Sequence, residues 1–259
     1  MEARLAAPLS RRMLELGGVG PGMRVLDLAT GRGEPAIPAA HRVGPTGSVL
    51  GVDLSESVLA MARERAAEEG VENLELRAMN AEALDGIPAA HFDVALARWG
   101  LMYMDAPVAA LAGARRALKR GGVLVAALWA EPERVPYFTL PRRALEKYRE
   151  LPPIDAAAPG TFFYADPARF ERDLVRAGLE LGHVEEMDVV IMEASSPSEL
   201  VAWVRAFGMA RLLADVPEPT RQAWEQDFVH DAEAFRKGGM FQLGGVTRIV
   251  VATPAHPDP

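Results

Sequence analysis

Glycines and carboxylates follow two short apolar runs near the start of this 259-residue chain. The stretch VLDLATGRGEP, residues 25–35, carries Asp27 within the first run and then breaks into Gly31 and Gly33. The next run, SVLGVD, ends in Asp53, which stands 20 positions after Gly33. Glycine lets a ligand approach the main chain, and a carboxylate at the end of the neighbouring strand can accept hydrogen bonds from both ribose hydroxyls. In this order and spacing, the two features predict a nucleoside site and not only a turn with a helix cap.

The elements that must position these residues alternate regularly through the first half of the chain. Short, nearly continuous apolar runs are typical of strands covered on both faces, and helical patterns separate them. The predicted strands are Arg24–Leu28, Ser48–Asp53, Leu74–Ala78, Phe92–Ala97 and Val123–Leu128. This alternation predicts a parallel, doubly wound sheet, in which ligands bind at the carboxyl ends of the strands.

The second half of the chain has a different pattern. Residues 131–165 are rich in proline, two amphipathic helices are predicted over Ser198–Ala214 and Glu218–Phe235, and a final strand follows in GGVTRIVVATP. Such a strand after a helical excursion is expected to return antiparallel at an edge of the sheet. The predicted units are a cofactor-binding core (1–130), a proline-rich lid segment (131–165), a core helix with the sixth strand (166–197), a helical lid insertion (198–240) and a final strand with a tail (241–259).

Composition excludes several classes of function. The chain has no cysteine, which rules out disulfides, zinc–thiolate sites and thiol catalysis. Its formal net charge of -8, without a basic stripe, argues against nucleic acid as a partner. The longest apolar run, Val123–Ala130, is too short for a membrane span, and the first residues have the pattern of an amphipathic helix and not of a signal peptide. We therefore expect a cytoplasmic protein without a membrane span.

The residues around the glycines separate two classes of nucleoside cofactor. A dinucleotide fold prefers Gly-x-Gly-x-x-Gly, and Ala36 occupies the third position here. An acid inside the strand and Ala29 ahead of the glycines instead match acid-x-(Gly/Ala)-x-Gly-x-Gly. This pattern resembles the first motif of class I S-adenosylmethionine-dependent methyltransferases. VLGVDLSESVLAMARERA, AMNAEAL, FDVALARWGLMYM and LKRGGVLVAALW then follow in the order and spacing of the ubiquinone/menaquinone biosynthesis group.

The resemblance implies an α/β fold with three layers: a doubly wound, mostly parallel seven-stranded sheet of the Rossmann-like methyltransferase type, with an antiparallel edge strand and a helical lid. It also implies S-adenosylmethionine as cofactor, S-adenosylhomocysteine as product, and no metal. The residues after the fourth strand, Ala97-Arg98-Trp99-Gly100, differ from the Asn/Asp-Pro-Pro-aromatic sequence of enzymes that methylate nucleic-acid bases. They also lack the acidic ligand of metal-dependent catechol-type enzymes, so a small organic molecule is the expected methyl acceptor.

Nine cofactor-binding residues follow from this resemblance, position by position. Those of the glycine turn would surround the methionine part of the cofactor, and those after the second strand would hold the ribose and pack on the adenine. Those after the third strand would meet the adenine edge, and one after the fourth strand would border the methionine end. In chain order they are Asp27, Ala29, Gly31, Gly33, Asp53, Leu54, Asn80, Ala81 and Arg98.

Methyl transfer by in-line displacement depends mainly on positioning in a site closed to water, and it needs a base only when the acceptor must lose a proton. The sequence identifies no catalytic residue. His230, in the last predicted lid helix, is a candidate base because histidine titrates near neutral pH. Aromatic faces suit both a flat acceptor and the sulfonium charge, and Trp129, Tyr137 and Trp203 are the candidate acceptor contacts.

Two other functions stay open from the residues alone. An NAD(P)-dependent oxidoreductase would share the glycine turn and the ribose acid, although the chain has no Tyr-x-x-x-Lys pair. A non-catalytic domain that binds a nucleoside cofactor would also fit, because the catalytic signature of this fold is slight. Nothing in the sequence indicates an oligomeric state.

Overall fold

The strands of the protein form one mixed sheet in the computed structural model, which describes residues 2–255 and their side chains from Arg4 onwards. The predicted tail beyond residue 255 lies outside the described residues. Within the described range the strands are β1 (Arg24–Leu28), β2 (Ser48–Asp53), β3 (Leu74–Ala78), β4 (Phe92–Arg98), β5 (Leu118–Trp129), β6 (Leu179–Ala194), β7 (Arg236–Lys237) and β8 (Met240–Pro254).

Helices connect these strands, and several begin at residues that stabilise a helix start. Ser55, Asp166 and Ser196 each accept a hydrogen bond from a backbone N–H of the first turn that follows. The helices of the described residues are α1 (Glu2–Leu5), α2 (Ala7–Leu16), α3 (Ala36–Val43), α4 (Glu56–Glu68), α5 (Pro107–Ala117), α6 (Pro136–Glu146), α7 (Pro167–Arg176), α8 (Pro197–Phe207), α9 (Ala210–Leu213) and α10 (Glu218–Ala232). None of the helices between residues 2 and 255 is long and apolar enough to span a membrane.

The sheet has the order β3-β2-β1-β4-β5-β8-β6, and the two-residue β7 pairs with β8 as an additional strand. Strands β1 to β5 pair in parallel, and the strand order reverses between β1 and β4. The connections from β1 through β2 to β3 run one way along the sheet, and the connection from β4 to β5 runs the other way. Because each crossover is right-handed, α3 and α4 lie on one face of the sheet and α5 lies on the other. The predicted three-layer, doubly wound arrangement is confirmed, and its crevice opens where the carboxyl ends of β1 and β4 diverge.

The final strand is antiparallel, as predicted, but it lies one place inside the edge. β8 pairs with β5 through Leu124–Trp129 and with β6 along nearly its whole length, which leaves β6 outermost. The direction follows from the path of the chain. β6 ends just before α8, and β8 starts at the same end, where Ala194 pairs with Phe241, so β8 must run back along β6.

The helices after β5 and β6 form a second apolar cluster on the extended ends of β6 and β8. Residues of α6, α8, α9 and α10 pack there around Trp224, whose indole N–H donates to the carbonyl of Pro141 at 2.8 Å. The predicted helix over Ser198–Ala214 is wrong in one respect, because the chain is broken into α8 and α9 at Gly208. The predicted helix over Glu218–Phe235 is confirmed as α10 with a 3₁₀ turn after it.

Candidate functional site

The turn after β1 exposes its main chain at the crevice. Ala29, Gly31 and Gly33 all have positive φ, at 54°, 55° and 83°. A Cβ added at Gly31 would meet no atom within 4 Å, whereas one at Gly33 would lie 2.6 Å from Cδ1 of Ile37 in α3. Gly31 therefore leaves room for a ligand, and Gly33 is needed for the packing of the helix that follows.

Asp53 joins the two sequence motifs by direct hydrogen bonds. The backbone N–H of Gly31 donates to its Oδ2 at 2.9 Å, and that of Ser55 donates to its Oδ1 at 3.0 Å. A carboxylate offers about four acceptor positions, so about two remain for other donors. The half-buried carboxylate at the end of β2 is thus held in place and still able to accept hydrogen bonds.

Asp27 lies buried beneath the same turn. The hydroxyl of Thr30 donates to its Oδ2 at 2.6 Å, and its Oδ1 has no hydrogen-bond partner among the described residues. Burial raises the pKa of Asp27 to about 7, while the Thr30 hydrogen bond and the positive charge of Arg98 oppose that rise. A buried polar atom without a partner destabilises the fold, so a hydrogen-bonding group brought by a ligand would be favourable at this position.

A cavity of about 330 Å³ lies beside Asp53, at the ends of β1, β2, β3 and β4. Its wall contains six of the nine predicted cofactor residues, all except Asp27, Gly31 and Gly33. The lining residues are Ala29, Asp53, Leu54, Met79, Asn80, Ala81, Glu82, Arg98, Trp99, Gly100, Tyr103, Met104 and Asp105. The remaining three predicted residues form or support the glycine turn behind this wall.

Leu54 contributes an exposed apolar side chain to the wall of the cavity, since 73% of its surface is exposed. The side chain of Asn80 is fixed nearby, because its Oδ1 accepts from the backbone N–H of Glu82 at 2.9 Å. An amide oxygen has two lone pairs, so Asn80 can accept one further hydrogen bond.

Trp99 is a wall residue that the sequence reasoning did not select. Its φ is 55°, its ring stacks on that of Trp129 at a centroid distance of 4.4 Å, and its indole N–H donates to Oγ1 of Thr247 at 3.1 Å. The guanidinium carbon of Arg98 lies 5.0 Å from the Trp99 ring centroid. The positive φ depends on these tertiary contacts and leaves no sequence signal. The sequence signal that could have identified Trp99 as a site residue was its position directly after Arg98.

The other lining residues missed by the sequence reasoning follow the third and fourth strands. They are Met79, Glu82, Gly100, Tyr103, Met104 and Asp105. Gly100 packs directly on Ala29, so the turn after β4 rests on the glycine turn after β1. The motifs AMNAEAL and FDVALARWGLMYM contain most of these residues. They could have been predicted, because ligands of open parallel sheets bind at the carboxyl ends of the strands.

The predicted acceptor contacts and the candidate base lie outside the cavity wall. Trp129 is 2% exposed and lies behind Trp99. Tyr137 of α6 and Trp203 of α8 are joined to each other, since the indole N–H of Trp203 donates to the Tyr137 hydroxyl at 3.2 Å. His230 lies on α10, in a groove between α8 and α10. No group of three or more potential metal ligands occurs among the residues that the structure describes.

Comparison with known proteins identifies a family that this chain matches. Residues 20–149 match a family model described as a methyltransferase domain. Aklanonic acid methyltransferase DauC of Streptomyces sp. (strain C5) is 36% identical over 115 residues, which is 44% of this chain and 52% of that protein, so the match spans about half of the relative's length.

Two further relatives match over more of their length. The ubiquinone/menaquinone biosynthesis C-methyltransferase UbiE of Shewanella sp. (strain W3-18-1) is 33% identical over 180 residues, covering 66% of this chain and 71% of that protein. Nocamycin O-methyltransferase of Saccharothrix syringae is 30% identical, covering 90% and 85%. Among solved structures, the YcgJ protein of Bacillus subtilis has the same fold, with a TM-score of 0.61 at 16% identity over 97% of this chain and all of that one.

Proposed function

The chain belongs to the class I S-adenosylmethionine-dependent methyltransferases, and we propose that the cavity beside Asp53 holds the adenosyl half of that cofactor. The protein transfers the methyl group of S-adenosylmethionine to a small organic acceptor. One observation carries the assignment of the cavity: a carboxylate lines it whose orientation is fixed by the N–H groups of Gly31 and Ser55.

The residues around the cavity fit this group. The two free acceptor positions of Asp53 suit the ribose hydroxyls, and the exposed side chain of Leu54 offers an apolar face to the adenine ring. Burying a leucine side chain contributes about 1.5–3 kcal/mol. Asn80 and Ala81 stand at the adenine edge in this proposal, and Arg98 borders the methionine end.

When bound, S-adenosylmethionine supplies the methyl carbon that the acceptor attacks in line. The protein orients the cofactor through Asp53 and the open main chain at Gly31, and the fixed ring of Trp99 forms one wall of the site. The lid helices α6 and α8 close the site to water in this proposal, and a dry, well-oriented pair of reactants accounts for most of the acceleration.

For the acceptor we propose a flat molecule with an acidic O–H or C–H group. The candidate base His230 lies apart from the cavity, in the groove between α8 and α10. An acceptor that forms its anion readily needs no protein base. The names of the relatives support this class: one acts on aklanonic acid, another is a C-methyltransferase of quinone biosynthesis, and a third is an O-methyltransferase.

The aromatic residues between the core and the lid are the proposed acceptor contacts. Trp129, Phe138 and Tyr137 touch in succession, at centroid distances of 5.7 and 4.8 Å, and Tyr137 is bonded to Trp203. Tyr137 and Trp203 are half-exposed and can meet a flat ring directly, whereas Trp129 acts through Trp99.

Isothermal titration calorimetry with S-adenosylhomocysteine and with NAD tests the cofactor assignment. We expect binding of the first and none of the second. Binding of NAD alone would favour the oxidoreductase, and S-adenosylhomocysteine binding without turnover of any acceptor would favour a non-catalytic binding domain.

An acceptor screen tests the proposed substrate class. Formation of S-adenosylhomocysteine is measured with phenols, enols and carboxylic acids of graded acidity, each paired with a neutral alcohol of similar shape. Turnover confined to the acidic members, and retained in His230→Ala, is expected. Comparable turnover of the neutral alcohols, lost in His230→Ala, would show that a protein base operates.

A further inference from the structure

A residue of the N-terminal helix reaches the polar side of this site. Ser10 of α2 is 1% exposed, and its hydroxyl donates to Oε2 of Glu34 at 2.6 Å. Glu34 directly follows Gly33 in the glycine turn. The same Ser10 oxygen accepts a hydrogen bond from Nη1 of Arg98 at 3.4 Å. One hydroxyl therefore links α2, the glycine turn and a cavity-lining cation.

The direction of these hydrogen bonds is dictated by Glu34. Its other carboxylate oxygen, Oε1, pairs with Nη2 of Arg65 at 2.8 Å, and its side chain is 4% exposed. A carboxylate in such an ion pair only accepts hydrogen bonds, so the single proton of Ser10 points to Glu34. The lone pairs of the Ser10 oxygen are then directed away from Glu34 and face Arg98.

Arg98 is held between three groups. Its guanidinium carbon lies 5.0 Å from the Trp99 ring centroid, one nitrogen is bonded to Ser10, and its positive charge acts on buried Asp27. It is also the only cationic side chain among the described residues that line the cavity. A guanidinium fixed in one plane is well suited to bind a carboxylate through two parallel hydrogen bonds.

We propose that Ser10 is a positioning residue, which holds the guanidinium of Arg98 where it binds the carboxylate of the cofactor's methionyl half. The proposal rests on the function proposed above. It makes α2 part of the cofactor site, although this helix precedes the residues matched by the family model.

Calorimetry with two ligands tests this role. S-Adenosylhomocysteine carries the amino-acid group, whereas 5′-methylthioadenosine has the same nucleoside without it. Ser10→Ala is expected to weaken S-adenosylhomocysteine binding about tenfold and to leave 5′-methylthioadenosine within about twofold, because a hydrogen bond to a charged group is lost at the methionyl end alone. Ser10→Thr keeps the hydroxyl and is expected to restore the affinity. Equal weakening of both ligands would mean that Ser10 merely supports the glycine turn and would overturn the proposal.

Two further variants keep the proposal testable even if Ser10→Ala does not fold. Arg98→Gln is expected to reproduce the same selective loss, and the double variant is expected to lose no more than Arg98→Gln alone. Arg12→Gln is the matched control on α2, because Arg12 binds Glu185 of β6 through two hydrogen bonds of 2.7 Å. It loosens the helix elsewhere and should keep the affinity within about twofold. Additive losses would overturn the role of Ser10, whereas a wild-type protein that does not bind S-adenosylhomocysteine would overturn the proposed function as well.

Discussion

Replacing Asp27 by asparagine is expected to change how stability depends on pH. Asp27 is fully buried, and burial raises its pKa to about 7 from an ordinary value of 3.8. The folded protein therefore keeps a proton on Asp27 that the unfolded chain releases in weakly acidic solution. The stability associated with the protonated carboxyl is fully present below pH 3.8 and declines as the pH rises towards 7.

The size of this effect follows from the pKa difference. About three pKa units at 1.36 kcal/mol each amount to about 4 kcal/mol, of which about 3 kcal/mol falls between pH 5 and pH 8. The asparagine side chain of the variant does not titrate, and its carbonyl oxygen can still accept the hydrogen bond from Thr30. From pH 5 to pH 8, the difference in free energy of unfolding between Asp27→Asn and the wild type should therefore increase by about 3 kcal/mol in favour of the variant.

Urea denaturation of both proteins at half-unit steps from pH 5 to pH 8 measures this difference. Other ionisable groups titrate in both proteins and cancel in the comparison. The new amide can also change the free energy of unfolding by the same amount at every pH. Such a change does not affect the test, which compares only the pH dependence of the two proteins. Asp155→Asn, in the exposed loop before α7, is the control for the substitution itself. Parallel stability curves for wild type and Asp27→Asn would refute the reasoning about the buried carboxyl.

Three further variants test the wall of the site. Asp53→Ala should weaken S-adenosylhomocysteine binding in calorimetry by about 1–3 kcal/mol, because the ribose donors lose their acceptor. Thr247→Val should lower the free energy of unfolding, measured in urea, by about 1–3 kcal/mol, since the indole N–H of Trp99 is left without a partner. Gly100→Ala places a methyl group on Ala29 and should destabilise the protein by about 1–3 kcal/mol in the same assay.

Each of these variants has a matched control. Glu56→Ala removes a carboxylate that pairs with Arg63 on the surface of α4, and cofactor affinity should not change. Thr247→Ser keeps the hydroxyl acceptor for the indole N–H and should retain most of the stability. Gly160→Ala places a methyl group where the nearest atom is 3.9 Å away, so it should be nearly neutral. Controls as damaging as the test variants would contradict these assignments.

The core strands could be predicted because their signals are local. Apolar runs covered on both faces set the bounds of β1 and β2, and the alternating LELRA set those of β3 at the edge of the sheet. All three agree with the structure residue for residue. The place of β8 between β5 and β6 could not be predicted, because it depends on pairing between segments more than 45 residues apart in the chain. The break at Gly208 was missed because the apolar period continues on both sides of it.

Much of the site followed from the same local signals. The glycine turn and the acid after β2 are close in sequence, and their hydrogen bond in the structure joins the two motifs that predicted a nucleoside site. Trp99 was missed because its place in the wall depends on partners from distant segments, Trp129 in β5 and Thr247 in β8. The contact of Ser10 with Glu34 likewise joins two elements that are packed together only in the folded chain.

The position of β8 has a consequence for the order in which the chain can assemble. β6 is synthesised well before β8, yet its strand partner in the described sheet is β8 alone. A chain that has been synthesised only as far as α10 therefore holds two unpaired strand edges, one on β5 and one on β6. Both edges are paired once residues 240–254 lie between them. Chaperones that recognise exposed strands should bind a released chain truncated before Met240 and should not bind one that extends past Pro254.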